Sequence, residues 1–259
     1  MRARAGAFLL PLAVVVGLIA AWELAAQWDL LADALGIEPF LVPAPSDIAS
    51  ALWEDRSLLA ENAWVTLQEV LGGLALALVL GYALAVAMHL SPVLRRAFYP
   101  LVVASQTVPV IAIAPVLVIW FGFGIGPKLA IIALVCFFPV TVNTLDGLRA
   151  VDPALVRMMR TLDAGRWQIL RRLEAPSALP YFFSGAKVAA AVAAIGAVFG
   201  EWTGAEDGLG HLILVSQAQL QTARVFAAVV VLSAIALALV GALTLAQRRF
   251  AWWATPSGA

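Results

Sequence analysis

Residues 157–176, Arg-Met-Met-Arg-Thr-Leu-Asp-Ala-Gly-Arg-Trp-Gln-Ile-Leu-Arg-Arg-Leu-Glu-Ala-Pro, combine basic and apolar side chains in a pattern suited to docking. Just upstream, Asp152-Pro153 is a helix start, because aspartate accepts from free backbone N–H groups and proline fits the first helical position. Leu155, Met158, Met159 and Leu162 then recur at i, i+3, i+4 and i+7 on one face, with Arg157 and Arg160 pointing away. Asp163-Ala164-Gly165 breaks this period, and a second short helix begins near Arg166. Its apolar positions are Trp167, Ile169, Leu170 and Leu173, against Gln168, Arg171 and Arg172, and Pro176 and Pro180 are expected to end it. A helix–turn–helix with a bulky aromatic at its tip suits insertion into a groove of a soluble partner. The alternative is a basic helix pair held on anionic lipid.

Other residues stand out because they are polar inside apolar runs, where such groups are costly. Glu69 lies about one turn inside the second run and Glu201 at the end of the fifth, with Gln106 and Asn143 as neutral hydrogen-bonding groups deeper in. Each reads either as part of a translocation path or as a snorkelling or helix-pairing group. Pro109, Pro115 and Pro139 fall inside the third and fourth runs, where kinks persist only if neighbours or a cavity satisfy the freed backbone. They mark either bent packing helices or helices that line a path. Cys136 reads as a small buried hydrophobe. His89 and His211 have no His or Cys partner at metal-ligand spacing.

The elements that position these groups are membrane helices. The chain is 63% hydrophobic and 12% charged, outside the range of soluble domains. Six segments meet the roughly 20-residue requirement for a span, at about 7–27, 65–88, 98–122, 127–145, 183–202 and 225–247. The first is interrupted by Glu23 and lacks a small-residue cleavage site, so it reads as a retained helix. Residues 28–64 read as an extracytoplasmic segment with an interfacial helix over Asp47 to Leu59, capped by Ser46. Residues 65–250 form the core, with a cytoplasmic loop at 149–182, and 251–259 a cytoplasmic tail. The positive-inside rule places Arg2, Arg4, Arg95, Arg96, the 149–172 arginines, Lys187, Arg248 and Arg249 in the cytoplasm. Only Arg56, Lys128 and Arg224 fall outside, so both termini are expected inside. Gly185 and Gly196-x-x-x-Gly200 give the fifth span a close-packing face, within one chain or across a dimer. Residues 203–222 are too polar to span and too apolar for a free loop; they either re-enter the membrane or lie at its interface.

The loop resembles the cytoplasmic signature of bacterial ABC importer permeases, Glu-Ala-Ala, three residues, Gly, nine residues, then Ile-x-Leu-Pro. That register falls on Arg157-Met158-Met159, Asp163 and Leu173-Glu174-Ala175-Pro176. The Glu-Ala-Ala start is absent, and Asp163 replaces the glycine, with Gly165 two residues on. If the turn needs positive φ, Asp163 or Gly165 is expected to supply it. Leu41-Val-Pro-Ala-Pro-Ser46, Thr107-Val-Pro-Val110, Ala114-Pro-Val-Leu117, Trp120-Phe-Gly-Phe-Gly-Ile-Gly126 and Phe138-Pro-Val-Thr-Val-Asn-Thr144 also match, so the resemblance covers roughly residues 40–250.

The resemblance implies an all-α, type I importer permease fold of about six transmembrane helices in the bacterial inner membrane. It implies that Arg157, Arg160, Thr161, Leu162, Asp163, Ala164, Gly165, Arg166, Trp167, Leu173 and Pro176 couple to a separate ATPase. Two permease copies, two ATPase copies and an external binding protein would make the importer. The chain has no phosphate-binding loop, so ATP would sit on the partner and no cofactor on this chain. Lipid is the remaining partner, and nothing points to nucleic acid. Gly200 to Gly210 and Gln217 to Thr222 look most like the branch for thiamine precursors (hydroxymethylpyrimidine) and riboflavin. Carboxylates near the entrance fit neutral or cationic heterocycles better than anions. Sulfonate, taurine or nitrate is the alternative cargo. An intramembrane protease lacks a facing nucleophile and base, and H-E-x-x-H is absent. A gradient-driven carrier is the other rival, separable by the ATP dependence of uptake.

Overall fold

The computed structural model describes residues 2–254, with side chains described from 13 to 253 apart from Leu31 and Leu35. The expected tail therefore lies partly outside the described residues, as do the side chains of Arg2 and Arg4. Among the described residues every regular element is helical. Helix α1 (Arg2–Gln27) leads through a short α2 (Leu30–Leu35) to α3 (Pro45–Glu54). The chain then enters the long α4 (Arg56–Leu90). The centre is α7 (Ile125–Arg149), packed between α4 and α10 (Ala175–Trp202). α12 (Thr222–Phe250) lies against α10.

Small residues set this packing. A Cβ on Gly185 would lie 2.4 Å from the Pro139 carbonyl oxygen, so α10 meets α7 at a point that admits no side chain. Gly196 and Gly200 face Ile132 and Lys128 on the same helix, so the glycine stripe works within the chain. Around these contacts Val70, Leu74, Ile132, Cys136, Val140 and the alanines of α10 form one buried core. Cys136 sits there as a buried apolar group, its thiol donating to the Ala189 carbonyl at 3.3 Å.

Among the described residues, four helical runs are long and apolar enough to cross a membrane: Arg56–Leu90, Ile125–Arg149, Arg166–Trp202 and Thr222–Phe250. The expected span at 98–122 is not one helix. It is α5 (Pro92–Ala104) and α6 (Val110–Phe121), separated by a turn. Pro109 disfavours helical geometry at Val108. The Ser105 and Thr107 hydroxyls donate to the Val102 and Ala104 carbonyls, holding the chain in a local turn. α5 begins where α4 ends and α6 ends where α7 begins, so the break lies at mid-depth.

The expected interfacial helix also differs. Ala44, not Ser46, caps α3, and the Asp47 carboxylate accepts from the Ala44 N–H at 3.0 Å. Ser46 instead gives its N–H and hydroxyl to the Glu23 carboxylate, at 2.9 and 2.7 Å. That contact explains the acid that interrupts the first apolar run: it ties α1 to α3. Helix α3 stops at Asp55, whose carboxylate takes Arg224 at 2.6 and 2.8 Å, and Leu59 belongs to α4. Residues 203–222 hold α11 (Leu209–Ala218), packed on α4, α10 and α12.

Candidate functional site

The elbow joins α7 to α10. Its first limb, α8 (Pro153–Thr161), opens as the sequence requires, with Asp152 Oδ1 accepting from the Ala154 N–H at 2.7 Å. No side chain of α8 is buried. Leu155 and Met158 are exposed alongside Arg157 and Arg160, and the tip carries Leu162 at 74% and Trp167 at 64% exposure.

The turn between the limbs is a Schellman motif. The Ala164 N–H donates to the Met159 carbonyl and the Asp163 N–H to the Arg160 carbonyl, both at 3.0 Å. This geometry needs a left-handed residue, and Asp163 supplies it with φ 58°. Gly165 does not: at φ −67° it precedes α9 (Arg166–Ile169), and its N–H donates to Gln168 Oε1 at 3.0 Å. A left-handed conformation costs an L-residue roughly 1–2 kcal/mol. Asp163→Gly is therefore expected to leave uptake intact and raise the thermal midpoint in detergent. Asp163→Val should lower it, and Gly165→Ala, with open space around its Cβ, should be neutral. Equal midpoints for the Gly and Val variants would contradict this assignment.

The second limb is locked to the bundle. Arg166 Nη2 donates to the His89 carbonyl at the end of α4 (2.9 Å), and His89 Nε2 meets Glu174 Oε2 at 2.8 Å. Ile169 and Leu170 are buried, the latter against Leu148 and Ala178. Pro176 and Pro180 do not end this helix, contrary to the sequence expectation. Residues Leu170–Glu174 widen into one π-helical stretch and run directly into α10. The wider turn relieves the clash a proline ring makes with the carbonyl four residues back, here that of Arg172. Leu173 and Pro176 are half-buried in this stretch, while Thr161 and Asp163 are exposed and Ala164 half-buried at the turn. The elbow is thus an exposed tip on a fixed stem. Its anchors His89 and Glu174 escaped sequence reasoning, because they pair across 85 residues.

The far end of the bundle holds a buried polar knot. Glu201, 1% exposed, accepts from the Thr66 hydroxyl at 2.6 Å and from the N–H groups of Gly210 and His211. Thr66 Oγ1 in turn accepts from the Leu209 N–H at 2.8 Å, and Asn62 Oδ1 from Gly208 at 2.8 Å. Side chains of α4 and α10 therefore satisfy the free N–H groups that open α11, with a carboxylate at its positive end. A Cβ on Gly208 would lie 2.3 Å from the Glu201 carboxyl carbon, so this approach requires glycine. Beside the knot, Glu69 (3% exposed) pairs with Lys128 at 2.6 Å.

These contacts revise the sequence reading of charge. Glu69 is paired with Lys128, one of the three cations expected on the external side, and Glu201 is taken up by the Thr66 hydroxyl and backbone donors, so neither presents an open carboxylate to cargo. Asn143 is half-buried and donates to the Pro139 carbonyl at 2.8 Å. Gln106 and Pro109 are exposed at the α5–α6 break, away from the knot. Asn62 and Thr66 went unrecognised, Lys128 was read only as an external cation, and the glycines of 204–210 were read only through their resemblance to the thiamine-precursor and riboflavin branch. A cavity of about 510 Å³ opens next to the knot, lined by Phe123, Gly124, Lys128, Gly204, Ala205 and Glu206. Among the described residues no His, Cys, Asp or Glu cluster could hold a metal.

Long apolar helices threaded around α7 make this a polytopic membrane protein. Residues 77–252 match the family described as binding-protein-dependent transport system inner membrane component. The chain is 41% identical to the formylaminopyrimidine transport permease of Halalkalibacterium halodurans, over 80% of this chain and 82% of that one. It is 35% identical to the riboflavin transport system permease of Chloroflexus aurantiacus, over 87% and 85%. With the taurine transport system permease of Escherichia coli it shares 30% identity over 87% and 85%. The chain belongs to this family, as an inner-membrane, multi-pass permease component of an ABC importer.

Proposed function

We propose that the chain forms the translocation path for a small heteroaromatic cargo, a pyrimidine thiamine precursor or a flavin, and that its elbow docks an ATPase in the cytoplasm. The exposed apolar tip carries the docking reading. Leu162 and Trp167 stand in water on a stem fixed by Arg166, His89 and Glu174, and a rigid apolar projection of this kind gains free energy when a partner covers it. Arg157 and Arg160 flank the tip and suit an acidic rim. With the elbow cytoplasmic, both termini are cytoplasmic and the α11 end faces the external binding protein.

A second copy of the chain completes the path. The break at 105–109 leaves Gln106 and Pro109 exposed at mid-depth, and Ile119, Trp120 and Phe121 extend an uncovered face along α6. Non-helical backbone at that depth belongs against protein or a cavity. Two such faces around a central axis would place Gln106 in the path. ATP would close a pair of ATPases and draw the elbows together. The continuous Arg166–Trp202 helix then carries that motion from the tip to the knot, rocking the two bundles to open the path outward.

The pyrimidine and riboflavin relatives support the cargo class, as does the mouth cavity, where Phe123, 80% exposed, offers a stacking face beside Lys128 and Glu206. Competition against ATP-dependent uptake in cells expressing the full importer tests it. Labelled pyrimidine or riboflavin should accumulate and resist excess taurine. Accumulation of taurine or an alkanesulfonate, with no pyrimidine or flavin, would assign the chain to the other branch.

A further inference from the structure

At the elbow end, outside the docking tip, Arg95, Arg96 and Arg149 line one cleft of about 290 Å³ with Tyr99 and Pro100. The cleft lies where the first turns of α5 meet the C-terminal turn of α7. None of the ion pairs or side-chain hydrogen bonds among the described residues involves these three guanidiniums. The nearby Glu174 is already taken by His89. Like charges gathered in a shared cleft repel one another, so an anion entering it is attracted by all three at once. A guanidinium also offers parallel N–H donors that match phosphate oxygens.

The surroundings select the kind of phosphate. α5 exposes Val93, Phe98 and Leu101 in the same few turns as its arginines, and Tyr99 presents an aromatic ring with a polar tip. That combination, cations and tyrosine beside bare aliphatic surface, is what a headgroup with attached acyl chains meets at the membrane boundary. Free phosphate would use the arginines and leave the apolar side chains uncovered.

We infer that the Arg95–Arg96–Arg149 cleft binds the phosphodiester headgroup of an anionic phospholipid, with its acyl chains along the exposed apolar side of α5. The lipid then bridges α5 to α7, two elements that otherwise touch only lightly. It would hold α5, and with it the mid-depth break, in register with the elbow.

The full-length chain in mild detergent, stripped of lipid, is titrated with phosphatidylglycerol, phosphatidylcholine or inorganic phosphate. Bound lipid is read by native mass spectrometry, and the thermal midpoint is followed in parallel. Phosphatidylglycerol should bind with about a tenfold preference over phosphatidylcholine and raise the midpoint, while inorganic phosphate does neither. The Arg95→Gln/Arg96→Gln/Arg149→Gln variant should lose that preference while keeping its midpoint in phosphatidylcholine. If that variant fails to fold, Arg96→Gln and Arg149→Gln singly, both at exposed side chains, should each lose part of the preference. Equal binding of the two lipids by the wild-type chain, an undiminished preference in these variants, or equal stabilisation by inorganic phosphate would overturn the proposal.

Discussion

Trp167→Asp is expected to release the ATPase from the purified importer and abolish ATP-driven uptake, while the permease itself stays folded. The indole is 64% exposed, and the aromatic pairs among the described residues lie elsewhere, so the isolated subunit loses little. In a docked complex the same side chain would be a central apolar anchor. Truncating such an anchor typically costs about 2–4 kcal/mol of binding, or roughly 30- to 1,000-fold in affinity. Aspartate adds the desolvation of a charge. Leu162→Ala should weaken docking less, since a smaller apolar surface is removed. Arg171→Gln, on the exposed side of the π-helical stretch, should matter least. Co-purification through a tag on the permease, with the thermal midpoint as folding control, reads all three. Wild-type ATPase recovery with Trp167→Asp would remove the elbow tip from the interface.

Glu201→Ala should produce the largest loss of stability. The carboxylate is fully buried and receives the Thr66 hydroxyl and two backbone N–H groups. Alanine would strand those donors in a dry site and open a cavity between α10 and α11. Leaving a buried donor unsatisfied costs about 1–3 kcal/mol, so the combined loss is on the order of 3–5 kcal/mol. For a chain of this size that corresponds to a fall in thermal midpoint on the order of 10 °C. Glu201→Gln keeps one carbonyl oxygen and nearly the same shape, and should fall by less than half as much. Gly208→Val reaches the same knot from the other side by overpacking it against the Glu201 carboxyl, and should be comparably severe. An alanine variant with the midpoint of wild type would mean that the knot is ornamental.

Both predictions rest on features that differ in how visible they were in the sequence. The elbow was legible because its cues are local: Asp152-Pro153 for the start, the Leu155–Leu162 period for the first limb, and the 163–165 break for the turn. The left-handed residue was narrowed to two positions, and only the backbone hydrogen bonds separate Asp163 from Gly165. The knot was not legible, because helix packing brings Thr66 to Glu201 across 135 residues, Asn62 to Gly208 across 146 and Lys128 to Glu69 across 59. Polar residues stand out in apolar runs, yet sequence position does not reveal whether a carboxylate faces a path or a backbone donor. Prolines misled in both directions. Pro109 breaks a helix that hydropathy reads as one span, while Pro176 continues into a helix because the preceding π turn accommodates it, and Pro180 lies inside α10.

Photo-crosslinking from the tip tests most directly whether the elbow is the ATPase dock. A photo-reactive phenylalanine analogue at position 162, whose native leucine is 74% exposed, is introduced into the full importer in its native membrane and irradiated. The expected product is a single adduct between the permease and a soluble ATPase subunit, absent in the Trp167→Asp background. Adducts to lipid alone, in cells whose uptake still depends on ATP, would contradict that assignment and place the tip on the membrane surface.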